Sequence, residues 1–594
     1  MFKFKVSYLA LTAALGSSFV YADPTTYTHL SGTKVIDIEK PNAAGVSHNM
    51  YRDFNVDSKG MILNNSTNDL THSTLGNIAK NNNLGNGSAS VILNEVISKK
   101  SSALNGFIEV TGQKADVIVA NPNGISCSGC SFINTNKAVL TTGKVALSDT
   151  GAIASYTVTG GKLTIGQNGM DATNSYAVLL ADAIAINGSV TATNAMVGGG
   201  NFTFDNSTGA MASAGKSATI FQTLIPEYSI DISKLGGIKA NSISMTGNNL
   251  GFGVRNKGTI IANTTLTMSS NGSLINEGSI TSNGLVTQMA SVGNLKNTGN
   301  ISTTNTTVLN TLSSLTNSGA ISSTSQLLVN ASGNIENSGT LKATNALNVT
   351  TGGNLKTTKG STLSSDNQLV AAAAGNIDNG GSIKGMNTLV TFGGDTLKVS
   401  GNIYGDGNLV LQAKKDDSLT GGEITNSGTI SGGNVIVQTN GTVDLAKNSY
   451  MQASDTLTTQ SYQLTNKGYM SGDSIYIDNF ATYNYGNIKG TSVTLQTYKE
   501  LYNENNILAT SDMYLSTQGY GNITNRGHIG ANGTLTMTAK HVVNGGYRCG
   551  FFYMSTCGTG TLSATNLLLN SSHDYASNMG GTQQFKNTII NTVN

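Results

Sequence analysis

A five-residue string, N-x-G-x-[IL], returns about every twenty residues in the middle of this chain. It stands as "NKGTI" at Asn256, "NEGSI" at Asn276, "NTGNI" at Asn297, "NSGAI" at Asn317 and "NSGTL" at Asn337, at steps of 20, 21, 20 and 20. A blurred copy, "DNGGSI", follows at 378–383, then "NSGTI" at Asn426, "NKGYM" at Asn466 and "NRGHI" at Asn525. Between these anchors apolar and polar residues alternate, as in "TLTMSSNGSLI", which is the period of short half-buried strands bounded by turn residues. A repeat of this length made of strands and turns predicts a β-solenoid. Each rung turns its Val, Leu, Ile and Met inward and its Ser and Thr outward. At roughly 4.8 Å per rung, roughly 27 rungs would give a rod of about 130 Å. The recurrent Asn residues (Asn256, Asn276, Asn297, Asn317, Asn337) are expected to tolerate a left-handed turn and to form an amide ladder, with the following Gly supplying positive φ. No proline occurs after Pro226, which suits uninterrupted ladders. A leucine-rich repeat requires an L-x-x-L-x-L frame that these turns lack. Disorder is opposed by apolar positions that recur in register.

Composition narrows the function. The chain has 11% charged residues and a net charge of +2, and no Lys/Arg cluster, so no nucleic-acid partner is expected. Residues 1–22 have the form of a secretory signal: Lys3 and Lys5, then the apolar stretch Val6–Val20, then small residues Val20 and Ala22 before Asp23. Export favours an oxidised cysteine pair over free thiols.

Residues 23 to about 240 lack the regular beat. The open end of a solenoid is an exposed sheet edge and requires a cap, so a capping domain is expected here. Four stretches carry a resemblance: "PNAAGVSHNMYRDFNVDSKGMILNNS" (41–66), "NNNLGNGSASVILNEV" (81–96), "LNGFIEVTGQKADVIVANPNGISCSGCSFINTNKAVLTTG" (104–143) and "YSIDISKLGGIKANSISMTGNNLGFGVRNKGTI" (228–260). They resemble the N-terminal secretion domain of two-partner secretion exoproteins, the family of filamentous haemagglutinin, secreted haemolysins and contact-dependent growth inhibition effectors. The later repeats resemble that family's haemagglutinin repeats. The resemblance implies an all-β chain: a right-handed parallel β-helix with an N-terminal β-cap. It also implies recognition in the periplasm by a partner outer-membrane β-barrel transporter with periplasmic domains. The family's Asn-Pro-Asn-Gly motif stands here as Asn121, Pro122, Asn123 and Gly124. Its Asn-Pro-Asn-Leu motif is altered to Asn81, Asn82, Asn83 and Leu84, with Asn82 where proline is usual. Cys127 and Cys130 match a short Cys-x-x-Cys of the haemolysin and growth-inhibition branch.

The cysteines invite other chemistry. Zinc needs a second ligand pair, but Cys549 and Cys557 lie far along the chain and the six histidines form no ligand-spaced pair. A redox pair requires a helix N-terminus that the pattern does not supply. A local disulfide, Cys127–Cys130, is the expectation, and "YRCGFFYMSTCG" reads as a second loop closed by Cys549 and Cys557. Carboxylates are too sparse in the repeats for a β-helical polysaccharide enzyme, and no nucleophile-elbow, Walker or zincin motif occurs. No catalysis and no cofactor are expected. The aromatic-rich end ("SYQLTNKGYMSGDSIYIDNFATYNYGNIKG") suggests stacked ladders or an exposed recognition patch.

The expected organisation is a signal peptide (1–22), a capped secretion domain (23–255), a repeat stalk (256–540) and a Cys/aromatic segment (541–594), the last a candidate start of a receptor-binding region. Three roles remain open: an adhesin, the stalk of a growth-inhibition toxin, or a pore-forming haemolysin. Partners would be the transporter and a receptor on a host or neighbouring bacterial cell. An immunity protein is expected only if a longer form carries a toxin, since the chain reads as a truncated member.

Overall fold

The computed structural model describes residues 23–85, 87–213, 228–414, 421–518, 520–545, 547–549, 555–557, 560–571 and 581–592. The fold is all-β, a solenoid of about 22 turns. A typical turn has three strands, such as Leu274–Asn276, Ser279–Ser282 and Val286–Ser291. The next turn repeats them as Leu295–Asn297, Asn300–Thr303 and Thr306–Thr311. In these two turns each strand pairs in parallel and in register with its equivalent one turn on: Leu274 with Leu295, Ile280 with Ile301, Met289 with Leu309. The rod therefore has three parallel sheets, called first, second and third in chain order within a turn.

Alternation sets which side chains turn inward, and turn length sets which of them stack. Leu274, Ile280, Met289, Leu295, Ile301 and Leu309 are all essentially buried. Each such side chain contributes about 1.5–3 kcal/mol by leaving water. Together they form one apolar column that runs from Ile36 to Leu569.

Two expectations are corrected. There are about 22 turns and not 27, because the N-terminal third spends chain on excursions outside the rod. The repeat Asn–Gly pair also works differently. None of Asn256, Asn276, Asn297, Asn317 or Asn337 has positive φ, nor do the glycines two residues on. Those glycines are needed for room: a Cβ on Gly278, Gly299, Gly319 or Gly339 would overlap the carbonyl oxygen of the equivalent glycine one turn below. The corner is closed by backbone stacked against backbone.

The excursions build the N-terminal end. Strand Thr26–Thr28 lies antiparallel on Lys34–Asp37, the first rung of the second sheet. A hairpin of Leu70–His72 and Gly76–Ile78 packs Leu70 and Ile78 over Val35 and Ile62 on the outer surface of that sheet. A four-stranded antiparallel sheet, Lys144–Leu147, Ile153–Val158, Phe202–Asp205 and Met211–Ser213, covers the third sheet. Its Tyr156, Val158, Phe202 and Phe204 form a second core with outward Leu93, Ile118, Val139 and Val178. This double burial explains "VIVA" (117–120) and "AVLLA" (177–181), apolar runs without alternation.

Toward the other end, His541–Asn544, Thr561–Ser571 and Thr582–Thr592 continue the ladders. Strands Tyr547–Cys549 and Ser555–Cys557 form an antiparallel pair, with Cys549 opposite Ser555 and Cys557 opposite Tyr547. The side chains of Cys549 and Cys557 lie outside the described residues, as does the expected signal segment 1–22. No helix among the described residues is long and apolar enough to cross a membrane.

Candidate recognition site

Asn121 ends strand Ala115–Ala120 of the third sheet and opens the corner into Ile125–Cys127 of the first. Its side chain is fully buried. Nδ2 donates to the Lys100 carbonyl at 2.9 Å and to Ser102 Oγ at 3.0 Å, both one turn below. Oδ1 accepts from the Asn123 N–H at 3.0 Å, and the Gly124 N–H closes the turn on the Asn121 carbonyl at 3.1 Å. Asn123 donates through Nδ2 to the Ser98 carbonyl at 2.8 Å. Gly124 has a φ of 115°, and a Cβ there would press on the Lys162 carbonyl of the next turn. Pro122 and Asn123 are left on the surface.

The altered motif is built the same way. Asn81 is buried, and its Nδ2 donates to the carbonyls of Ile38 at 2.8 Å and Asn64 at 2.9 Å. Its Oδ1 accepts from the Asn83 N–H at 2.9 Å and caps the 3-10 turn Asn82–Leu84. Asn83 reaches the Asp37 and Ile38 carbonyls at 3.3 and 3.4 Å. Leu84 is buried, while Asn82 and Asn83 are exposed. Each motif is thus a corner whose first Asn replaces the ladder bonds that the turning backbone gives up, since a buried unpaired amide or carbonyl is costly. The turn at Asn82 forms without proline because the Asn81 side chain supplies the closure.

Cys127 and Cys130 lie beside the intact motif, joined by a disulfide with a Cα–Cα distance of 5.4 Å. Both sulfurs point into the apolar column. The bond closes the corner from the first sheet into the second, across Ser128 and Gly129, whose φ is 84°. Further along the first sheet, Arg255 grips Asp231 through Nε and a terminal nitrogen at 2.8 and 2.7 Å. Its guanidinium stacks 4.1 Å from the centre of the Tyr228 ring, and the Asp231 carboxylate raises its already high pKa.

In the repeats the five Asn form a buried amide chain: Asn256 donates to Asn276, that to Asn297, then to Asn317 and Asn337, at 2.7–2.8 Å. The same register position is Thr357, Asn379, Val399, Asn426 and Leu445 in the following turns. A second chain links Asn466, Asn484, Asn503, Asn525 and Asn544. Tyr462, Phe480, Tyr498 and Tyr520 stack along the outer corner between the third and first sheets.

Sequence reasoning missed a set of buried asparagines at the capped end. Asn64 and Asn65 tie down the loop around 79–89 through the Ala79 and Ala89 carbonyls. Asn94 accepts from the Tyr51 hydroxyl at 3.1 Å; burial pushes that phenol far above its usual pKa, so it stays a neutral donor. The signal was there, as asparagine within apolar strands ("MILNN", "VILNEV").

Comparison with known proteins falls on this same region. Residues 19–282 match the model of the TPS (two-partner secretion) secretion domain. The tRNA nuclease CdiA of Yersinia mollaretii is 42% identical over 226 residues, 38% of this chain and 7% of that protein. A hemolysin of Serratia marcescens is 34% identical over 249 residues, 42% of this chain and 15% of its own length. The solved filamentous hemagglutinin secretion domain aligns over 49% of this chain and 95% of its own, at 29% identity and a TM-score of 0.40. The aligned part thus spans less than a sixth of either sequence relative, and in the CdiA proteins it is the N-terminal secretion region. Residues 19–282 thus match the secretion domain of the two-partner secretion exoproteins, a family whose members are displayed at the cell surface or released.

Proposed function

We propose that residues 23–255 are an export address read by the periplasmic domains of a partner outer-membrane transporter, and that 256–540 form the stalk of a contact-dependent growth inhibition effector. The observation that supports this is the shared design of the two asparagine corners. The first Asn of each is consumed in building the corner, while the residues after it (Asn82 and Asn83, Pro122 and Asn123) are presented at the surface. Side chains presented at an exposed corner, held by a rigid scaffold of paired strands, are open to a partner that reads them directly. The stalk reading rests on similarity to CdiA proteins; the same secretion domain would serve an adhesin equally, with segment 541–594 nearest a receptor-binding end.

The test is export in cells that co-express the transporter. Asn123→Ala and Asn83→Ala should each lower the secreted fraction by at least about tenfold, the scale of one lost recognition contact. Asn263→Ala, on the exposed flank of the stalk, should leave it unchanged. Full export of both motif variants would sink the reading. A variant that accumulates in the periplasm with wild-type circular dichroism separates lost recognition from lost folding.

A further inference from the structure

The third sheet's outer surface has two regions in one continuous register. At the capped end, its central outward column is Leu93, Ile118, Val139 and Val178, buried beneath the chain's own antiparallel sheet. The column then turns polar at Ser244, Thr267 and Gln288. From the next turn it is aliphatic again: Val308, Leu328, Val370, Leu389, Val410 and Ile436, interrupted by Asn348. These side chains alternate with buried ones and remain partly exposed, and no described element lies over them.

The charge pattern singles out the same surface. Between Val286 and Gln460 no outward position in the strands of the third sheet is Asp, Glu, Lys or Arg. The first sheet over the same turns carries Lys296, Glu336, Lys356, Asp378 and Lys398 outward. The columns flanking the aliphatic stripe hold amides, among them Asn310 bonded to Asn330 and Asn387 to Asn408 to Asn434. At the edge, Val292 and Leu312 stand out, with Leu312 69% exposed, and border a shallow groove with Asn310 and Asn330.

We propose that this face is a self-association surface, occupied by the third sheet of a second copy of the chain. An aliphatic midline between amide columns is self-complementary: turned about a two-fold axis, apolar meets apolar and each amide column meets groups that both donate and accept. No charge has to be desolvated. The stripe spans seven turns, roughly 34 Å by about 17 Å, or about 1,200 Å² for both partners, which reaches the range of specific interfaces. It is also the face that the chain covers with a sheet of its own at the capped end, packed face to face as two sheets pack.

The experiment is sedimentation of the full chain over a concentration series. Wild type should show a concentration-dependent dimer. The double variant Leu328→Lys/Val410→Lys should weaken it by at least about a hundredfold. The gentler Leu328→Gln/Val410→Gln, a residue the column already holds at Gln288, should weaken it measurably with an unchanged strand spectrum. Ser322→Lys/Ser431→Lys, which adds the same charge on the second sheet, should leave it intact. A wild type that is monomeric up to about 100 µM, a concentration that would expose even weak dimers, overturns the proposal. So does a dimer that the third-sheet variants leave unchanged, or that all three variants weaken alike.

Discussion

At the residue scale, the repeat corner is a steric device. The glycine of N-x-G lies where one turn's backbone rests on the next, so its value is the absence of a Cβ and not a left-handed φ. Gly319→Ala should therefore destabilise the rod by about 1–3 kcal/mol or more through overpacking, since the clash is with backbone that cannot rotate away. Gly160→Ala, where a Cβ meets open space and φ is not positive, should be neutral. Denaturant midpoints of the two variants measure the difference, and equal midpoints would refute the steric account. The spacing of the glycines was legible in the sequence, but their reason was not. A turn residue and a contact residue look alike in one dimension, and only the stacked copy below Gly319 distinguishes them. The Asn ladder was legible because an amide can donate to and accept from its own image one turn away.

At the element scale, the capped end depends on a sheet that leaves the rod and returns to cover it. Phe202 is fully buried between that sheet and the third sheet, so Phe202→Ala should cost about 3–5 kcal/mol. Hydrogen exchange should then rise in strands Ala115–Ala120 and Met170–Ala181, and unchanged protection there would show that the sheet is decoration. The Cys127–Cys130 bond acts over a very short loop, so its removal should cost only about 2 kcal/mol. Because both sulfurs are buried, alkylation after treatment with a thiol reductant should label them only once the chain is unfolded; ready labelling of the native protein would contradict this. These excursions were hidden in the sequence because antiparallel strands such as Phe202–Asp205 alternate just as rungs do. The clue was in their target: a run like "AVLLA" with no polar face must be covered on both sides. Counting rungs from the repeat length alone ignored the chain that such covers consume. The two recognition corners were legible as motifs, since Asn121 and Asn81 carry bonding patterns that a short string can encode. The equivalence of Asn82 with a proline was not, because it depends on carbonyls at Ile38 and Asn64 brought in from other turns.

At the scale of the whole molecule, stability is a sum over neighbouring turns. Each rung touches only the rungs above and below, so a defect should act as a cut and not as a general weakening. Proline tests this, because it removes a ladder donor and is confined by the sequence to positions up to Pro226. Ser364 sits in strand Thr362–Ser365, paired with Lys342 on one side and Lys384 on the other, and its side chain faces outward, so Ser364→Pro disturbs little except the ladder. Losing that bond and straining the strand should cost about 3 kcal/mol or more at one interface. The circular dichroism should remain strand-dominated, because the turns on either side keep their own neighbours. Calorimetry should then resolve one transition more than in wild type, and limited proteolysis should cut the chain near residue 364 into two folded blocks. A single transition, lowered but unsplit, would mean that the rod folds as one cooperative unit, and the additive picture of stacked turns would have to be given up.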